Sequence, residues 1–162
     1  MIGEIRDYAT AAAAISAAQT GHLVFSTLHT LDTVRTVNRV MELFPPHERA
    51  SARILFADSL VGIVSQRLLP RLGGGRVAAS EIMKGTLRIK DLLRDEGRYG
   101  ELYDALRDSR LDGMQLFDDA LADLYEGGKI SFETGFHAAT SSQGFKMATT
   151  QIDLRKRHEK VA

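Results

Sequence analysis

Residues 20–30 read Thr-Gly-His-Leu-Val-Phe-Ser-Thr-Leu-His-Thr, and this stretch decides the fold class of the 162-residue chain. Within it, His22 to Thr27 is a short and largely apolar run, typical of a buried strand in a parallel sheet covered on both faces. Asp7 precedes an alanine-rich stretch that predicts a capped helix ending near Gln19 and closed by Gly21. A helix leading into a buried strand indicates an α/β protein.

The pattern continues with a helix and then a hairpin. The apolar side chains of the helix recur at spacings of three and four and so share one face: Leu31, Val34, Val37, Met41 and Phe44. Pro45-Pro46 ends this helix, and another is expected from His47. Two strand-like runs, residues 62–69 and 76–82, surround the glycines at 73–75, which predicts a β-hairpin.

Three domains are predicted along the chain. The first mixes strands and helices, and the second is helical. In the third, apolar periodicity fades, so it is interpreted as a mobile tail. Their bounds are residues 1–83, 84–140 and 141–162. Within the helical part, helices are expected near residues 87–94, near 101–107, after Gly113 and, as a short one, from Ser131.

The composition excludes several classes of protein. Lys+Arg and Asp+Glu both number 21, so nothing points to a nucleic-acid partner or a basic membrane-binding face. The chain has no cysteine, which excludes disulfides and thiolate metal sites. No apolar run approaches a membrane span, and the first four residues are no signal peptide. A cytosolic location is therefore permitted.

The first candidate site is Gly3-Glu4-Ile5-Arg6-Asp7. Capping explains Asp7 fully, and charged residues near a helix start are common on surfaces. The functional interpretation is a carboxylate at the carboxyl end of a strand, where ligands bind in open α/β sheets. Such a carboxylate could orient an attacking water, or help to hold Mg²⁺ through a water.

The second candidate site is the histidine pair of residues 20–30. His22 and His29 bracket the predicted strand at a spacing of seven, which is no zinc-binding spacing, so no metal site is expected. His29, with Thr27 and Thr30, places polar groups at the carboxyl end of the strand. Glu4 would lie at the same edge if the two strands are parallel. The alternative is a hydrogen-bonded structural histidine.

These two stretches resemble known motifs. Residues 3–7 and 20–30 are similar to the Walker B end and the histidine box of type IV pilus retraction ATPases, within the type II/IV secretion ATPase superfamily. Residues 65–71 and 75–81 resemble the family's next two strands, and residues 113–118 resemble its C-terminal signature. The similarity keeps the same order from residue 3 to about residue 140.

The resemblance implies a fold and a function. The fold is part of a RecA-like P-loop NTPase core followed by a helical C-terminal subdomain. The function is that of a homo-hexameric motor that hydrolyses ATP with Mg²⁺ to power pilus retraction and twitching motility. Such a motor docks on a platform protein of the pilus, in the cytoplasm at the inner face of the bacterial inner membrane. Zero cysteines argue against assembly and secretion motors, which often carry a cysteine-ligated zinc insertion.

The resemblance also implies roles for individual residues. Glu4 matches the Walker B glutamate that promotes attack of water on the γ-phosphate, within the Walker B-associated residues Gly3, Glu4, Arg6 and Asp7. His29 is implied to sense the γ-phosphate or to couple it to the neighbouring subunit. The histidine box comprises His22, Thr27, His29 and Thr30.

The chain departs from the family in two respects. No G-x-x-x-x-G-K-[ST] string occurs, so the chain is interpreted as the C-terminal half of a motor that by itself neither hydrolyses ATP nor binds ATP and Mg²⁺. The alternative is a non-catalytic module that docks on a complete pilus or secretion ATPase. Residues 88–95 match the segment Ala-Ile-Arg-Asn-Leu-Ile-Arg-Glu of retraction motors outright only at Ile89, Leu92 and Arg94, which puts a retraction-specific role in doubt.

Overall fold

The computed structural model describes residues 1–159. In this range the chain forms eight α-helices, one two-stranded hairpin and two short 3-10 helices. The α-helices are α1 Tyr8–Gln19, α2 Thr33–Glu42, α3 Arg49–Ser59, α4 Leu87–Leu93, α5 Leu102–Asp108, α6 Phe117–Glu126, α7 Phe132–Ala138 and α8 Ser142–Glu159. The strands are β1 Gly62–Pro70 and β2 Arg76–Lys84, and the 3-10 helices are Glu96–Glu101 and Arg110–Asp112. No described helix combines the length and apolarity needed to cross a bilayer.

The chain folds as two compact units. The first unit comprises Met1–Ser65 and Ile82–Met114, and the second comprises residues 66–81 and the described residues from 115 onward. These bounds differ from the predicted division at residue 83, because each hairpin strand begins in one unit and ends in the other. The three-domain division of the sequence therefore stays a prediction.

Side-chain caps set the starts of the first two helices. The Asp7 carboxylate accepts a hydrogen bond from the backbone of the first turn of α1, as predicted. Asp32 caps α2 in the same way. Because α2 starts at Thr33, Leu31 lies before the helix and is 58% exposed, so its expected place on the apolar face is wrong.

The first unit has an apolar core between α1, α2 and α3. Its buried side chains are Ala11, Ile15, Val40, Met41, Phe44 and Ala52. The α4 and α5 helices bury a further set, namely Ile89, Leu92, Leu93, Leu102 and Leu106. Small alanines let helices approach closely, and the branched side chains fill the space between them. The helices predicted from spacing in this unit are therefore confirmed by burial.

The segment from residue 88 to 95 is fastened to α3. Ile89 and Leu92 are buried, and Arg94 pairs with the Asp58 carboxylate at 2.5 Å. Lys90 donates to the Asp58 backbone carbonyl at 2.8 Å. The three residues that agree outright with the retraction-motor segment thus have structural reasons to be there.

The predicted strand from residue 22 to 27 is wrong. Its backbone lies beside residues 2–5 and accepts two hydrogen bonds, from Ile2 N to Phe25 O at 2.8 Å and from Ile5 N to Thr27 O at 3.1 Å. These two bonds do not make residues 22–27 a regular strand. Leu23 and Phe25 are 68% and 64% exposed. A buried parallel strand needs an apolar layer on each face, and within residues 1–159 one face of this segment meets solvent.

The hairpin is confirmed, and glycine permits its turn. Gly73, Gly74 and Gly75 have φ of 86°, 101° and 75°, a region that other residues rarely adopt. The turn is closed by a hydrogen bond from Arg71 N to Gly75 O at 3.1 Å. The glycines at 73–75 therefore form the turn of the predicted hairpin.

The second unit has its own core. The buried side chains come from the hairpin, α6, α8 and the loop before α7: Leu69, Ala79, Phe117, Ala120, Leu121, Ile130 and Phe145. Arg67 stacks its guanidinium 3.8 Å from the centroid of the Phe117 ring. The buried Glu81 carboxylate accepts a hydrogen bond from Phe117 N at 3.2 Å, at the start of α6 where a negative charge is favoured.

The expected mobile tail is wrong for residues 142–159, which form the longest helix. Phe145, Thr149 and Ile152, at spacings of four and three, are buried on one face of α8. A threonine in the middle of this face weakens its apolar signal, and the Thr149 hydroxyl is satisfied by the Phe145 carbonyl at 3.0 Å. Residues 160–162 of the expected tail lie outside the described residues.

We expect Gly135→Ala to destabilise the second unit. A Cβ at Gly135 would lie 2.2 Å from the Phe145 ring, which is itself buried. The forced shift of the ring costs about 1–3 kcal/mol, and alanine otherwise favours a helix interior by about 1 kcal/mol, so we expect a net loss of up to about 2 kcal/mol. Urea unfolding followed by circular dichroism measures it. Gly100→Ala is the matched control, because nothing lies within 4 Å of a Cβ there; equal effects of the two substitutions would contradict the clash.

Candidate functional site

The structure brings Glu4 and His29 together. His29 Nε2 lies 3.5 Å from Glu4 Oε1, with the His29 side chain 86% exposed and the Glu4 side chain 23% exposed. Residues 2–5 and 25–27 run in the same direction, because the pairings of residue 2 with 25 and of 5 with 27 rise together. The predicted proximity of Glu4 and His29 is therefore found, whereas the sheet edge expected to carry both residues is not formed by residues 2–5 and 22–27.

Arg6 is the second partner of Glu4. A terminal guanidinium nitrogen of Arg6 lies 2.5 Å from Glu4 Oε2, so each carboxylate oxygen faces a different basic side chain. The hydrogen bond from Arg6, ahead of the charges of Arg6 and His29, lowers the pKa of Glu4 below its usual range. The same pair raises the pKa of Arg6. Glu4 is therefore an ionised, partly enclosed carboxylate at neutral pH.

The two threonines of the histidine box stabilise the backbone around this pair. The Thr27 hydroxyl donates to the Gly3 carbonyl at 2.7 Å, next to the backbone bond between Ile5 and Thr27. The Thr30 hydroxyl is 2.6 Å from the Thr36 hydroxyl on α2. Both contacts position the chain on either side of His29, and neither threonine contacts Glu4 through a hydrogen bond given by the structure.

His22 lies elsewhere, at the end of α1. Its Nδ1 is 3.1 Å from the Thr20 hydroxyl and 3.3 Å from the Ala17 carbonyl, and its backbone N–H donates to the same carbonyl. These contacts close the C-terminus of the helix, as a structural histidine would. Of the two predicted histidines, only His29 joins Glu4.

Asp7 is occupied by its cap. Its carboxylate accepts from Thr10 N at 2.8 Å, and this backbone hydrogen bond is the main reason that the pKa of Asp7 is lowered. Capping therefore accounts for Asp7, as the sequence suggested. Arg6, its neighbour, pairs with Glu4 instead.

A surface pocket beside His29 contains residues that the sequence interpretation missed. Its lining mixes basic, acidic, neutral polar and apolar side chains from α2 and the residues just before it: His29, Thr30, Leu31, Arg35, Asn38, Arg39 and Glu42. Arg35 Nε is held 3.2 Å from the buried Asp32 carboxylate, and Arg39 pairs with Glu42 at 3.5 Å. The signal that could have found them is the spacing of Arg35, Asn38 and Arg39, which places three polar side chains on one face of a helix.

The site is suited to proton transfer and to binding negative charge. An ionised carboxylate can accept a proton from water, and an imidazole one contact away can donate to a developing negative charge. Among residues 1–159, no group of three or more His, Asp or Glu side chains is placed to hold a metal ion.

Comparison with known proteins identifies relatives. Residues 1–97 match the family model of Type II/IV secretion system proteins. The chain is 41% identical over 145 residues to the type IV pilus retraction ATPase PilT of Pseudomonas aeruginosa, covering 90% of this chain and 42% of the relative. It is 37% identical over 144 residues to a twitching motility protein of Neisseria gonorrhoeae, covering 88% of this chain and 38% of that protein. The chain thus spans about two fifths of the length of these relatives.

Solved structures give the same picture. A crystal structure of the pilus retraction motor PilT with bound ADP matches with a TM-score of 0.74 and 38% identity, over 88% of this chain and 39% of that one. The Legionella pneumophila ATPase DotB matches with a TM-score of 0.71 and 31% identity, over 83% of this chain and 36% of that one. The similarity therefore extends from sequence to backbone.

We expect Asp7→Ala to lower stability at neutral pH and to lose its effect in acid. The folded-state pKa of Asp7 lies below the unfolded value, so its contribution is full above the unfolded pKa and is lost as the pH falls through the folded pKa. Unfolding free energies of the wild type and the variant, measured between pH 7 and pH 2, should converge at the acid end. Asp7→Asn is the control, because asparagine keeps a capping oxygen at every pH. A constant gap across the range would contradict the capping role.

Proposed function

Because this chain belongs to the Type II/IV secretion system protein family, we propose that it is the Walker B and histidine-box part of a hexameric ATPase that powers type IV pilus retraction and twitching motility. The single observation that carries the proposal is the Glu4–His29 contact, which lies within the residues matched by the family model. The relatives named for retraction and twitching motility support the pilus as the system served.

The family and the fold class expected from the sequence are confirmed. The match to PilT and DotB identifies the chain as part of a RecA-like ATPase core with a helical C-terminal part. DotB is an ATPase by name, and the PilT structure contains ADP. The name of one neighbour and the ligand of the other thus both support a nucleotide-hydrolysing class for the whole protein. Its activity is our proposal.

In the proposed mechanism Glu4 acts on the attacking water. A glutamate carboxylate is ionised at neutral pH, so Glu4 can orient the water and accept its proton, and the hydrogen bond from Arg6 that lowers its pKa makes orientation its main contribution. His29 lies next to the Oε1 atom of Glu4, and its ring is largely exposed. It can therefore approach negative charge that develops on a transferring phosphoryl group. Backbone hydrogen bonds of Ile2 and Ile5 to the segment before His29 hold the two chain segments beside each other, which favours catalysis by positioning.

The triphosphate would be held by another part of the whole protein. Residues 1–162 contain no G-x-x-x-x-G-K-[ST] string, whose backbone amides cradle phosphates and whose Ser/Thr binds Mg²⁺. The Mg²⁺ would accordingly bind with that loop and the phosphates. We propose that the 162-residue chain alone does not hydrolyse ATP. Mg²⁺-dependent ATP turnover by this chain, abolished by Glu4→Gln, would overturn that proposal.

The assembly is proposed from the same resemblance. Six copies of the whole protein would form a ring, and the ring would dock on the pilus platform protein at the inner face of the inner membrane. No nucleic acid takes part. The balance of 21 basic and 21 acidic residues is consistent with a protein partner.

In the whole protein, Glu4→Gln should abolish hydrolysis and spare ATP binding. Glutamine keeps the size of the side chain and removes the charge that accepts a proton, which typically lowers kcat by about 10²–10⁴. Turnover and nucleotide binding are measured separately on the same preparation. The conservative Glu101→Gln, at an exposed ion pair with Arg98, is the matched control. If binding and turnover fall together, Glu4 serves folding, and a docking module becomes the better proposal.

His29→Ala should reduce hydrolysis more than His22→Ala. His29 is 3.5 Å from Glu4, whereas His22 contacts Ala17 and Thr20 at the end of α1. Loss of one well-placed donor to developing charge costs about 10²–10³ in kcat. Steady-state kinetics and thermal melts of both variants are compared. Equal losses of kcat with unchanged melting would show that the site has been placed wrongly.

A further inference from the structure

We propose that Arg6 is a positioning residue for Glu4: it holds one carboxylate oxygen so that the other faces His29. The contacts are 2.5 Å from Arg6 to Oε2 and 3.5 Å from His29 to Oε1. A charge-assisted hydrogen bond of this kind is strong and directional, so it fixes the rotation of the carboxylate. The consequence for turnover rests on the proposed function, whereas the consequence for the carboxylate itself does not.

The backbone is built to present Arg6 at this point. Ile5, the residue before it, donates its N–H to Thr27 O at 3.1 Å. Asp7, the residue after it, is committed to the cap of α1 through Thr10 N at 2.8 Å. Arg6 therefore projects from a stretch that is anchored on both sides. Its side chain comes from only two residues beyond Glu4, and a terminal guanidinium nitrogen lies 2.5 Å from Glu4 Oε2.

The alternative acid for Arg6 is already engaged. Asp7 is adjacent in sequence, but its carboxylate accepts the hydrogen bonds of the helix start, and these lower its pKa. Among residues 1–159, the charged groups that act on the Glu4 carboxylate are Arg6 on its own segment and His29 on the neighbouring one. Removing Arg6 thus leaves His29 as the one basic partner of Glu4 in this part of the chain.

The pair is suited to a local role rather than to holding the fold. The Arg6 side chain is 76% exposed, and exposed ion pairs contribute little to stability. A substitution at Arg6 should therefore leave the fold intact and act on the orientation and ionisation of Glu4. A positioning role predicts a loss in kcat, because a misoriented carboxylate binds the substrate no worse and meets the water less often.

The experiment compares Arg6→Gln and Arg6→Lys with a control variant, Arg98→Gln. Arg98 is another surface arginine, and it forms an ion pair with Glu101 at 2.9 Å. In the 162-residue chain, the Glu4 carboxyl is titrated by carbon-detected NMR. We expect Glu4 to titrate at higher pH in Arg6→Gln, near its wild-type value in Arg6→Lys, and unchanged in Arg98→Gln. An unchanged Glu4 titration in a folded Arg6→Gln overturns the proposal.

Kinetics of the whole protein provide the second measurement. We expect Arg6→Gln to lower kcat by about 10- to 100-fold with KM for ATP unchanged. The acid limb of its pH profile of kcat should move to higher pH. Arg6→Lys should recover part of the loss in kcat. A raised KM with unchanged kcat would make Arg6 a nucleotide-binding residue, and a raised kcat would make it a restraint; either overturns the proposal. If the wild-type whole protein shows no Glu4-dependent turnover, the proposed function fails, while the NMR titration still decides the role of Arg6. If Arg6→Gln does not fold, Arg6→Ala takes its place in the titration. A Glu4 titration at higher pH than in the wild type supports the proposal, and an unchanged one in the folded variant overturns it.

Discussion

The pairing of residues 2–5 with residues 25–27 is the constraint on which the site depends. Two backbone hydrogen bonds and the bond from the Thr27 hydroxyl to the Gly3 carbonyl set the register between the two segments. With the register fixed, Glu4 comes within 3.5 Å of His29, although 25 positions separate them in the sequence. Losing these contacts would release the two segments from each other and separate Glu4 from His29. The helix cap at Asp7 then fixes where the first segment ends.

The sequence predicted those elements whose signals are local. Asp7 and the proline pair mark helix ends by their own chemistry, and the glycines at 73–75 mark the hairpin turn. The prediction of a strand from residue 22 to 27 was wrong because an apolar run shows only that a segment has side chains to bury. A strand also needs neighbouring strands to share its backbone hydrogen bonds. Helix α8 was missed because its apolar pattern is weak. Its buried face includes Thr149, so Phe145 and Ile152 alone did not form a recognisable helical periodicity.

The candidate site was predictable in part. Glu4 and His29 could be placed together from two motifs and the assumption of parallel strands, and the structure brings them together. The partnership of Arg6 with Glu4 was not predictable, because a side-chain rotamer chooses between two neighbouring acids and the sequence offers both. Arg35 and Arg39 were overlooked because arginines on a solvent face of a helix are common, and only the pocket beside His29 distinguishes them. The catalytic roles themselves came from the resemblance.

The glycine turn of the hairpin also bears on the order of folding. Glycine adopts these positive φ values without steric cost, but each glycine still gives up more backbone freedom on ordering than another residue does. The contacts that offset the cost in the second unit are non-local, namely the stacking of Arg67 on Phe117 and the burial of Leu69 and Ala79 with α6. We infer that the far end of the hairpin becomes ordered only after α6 has formed, so its backbone amides would gain protection from hydrogen exchange late during refolding.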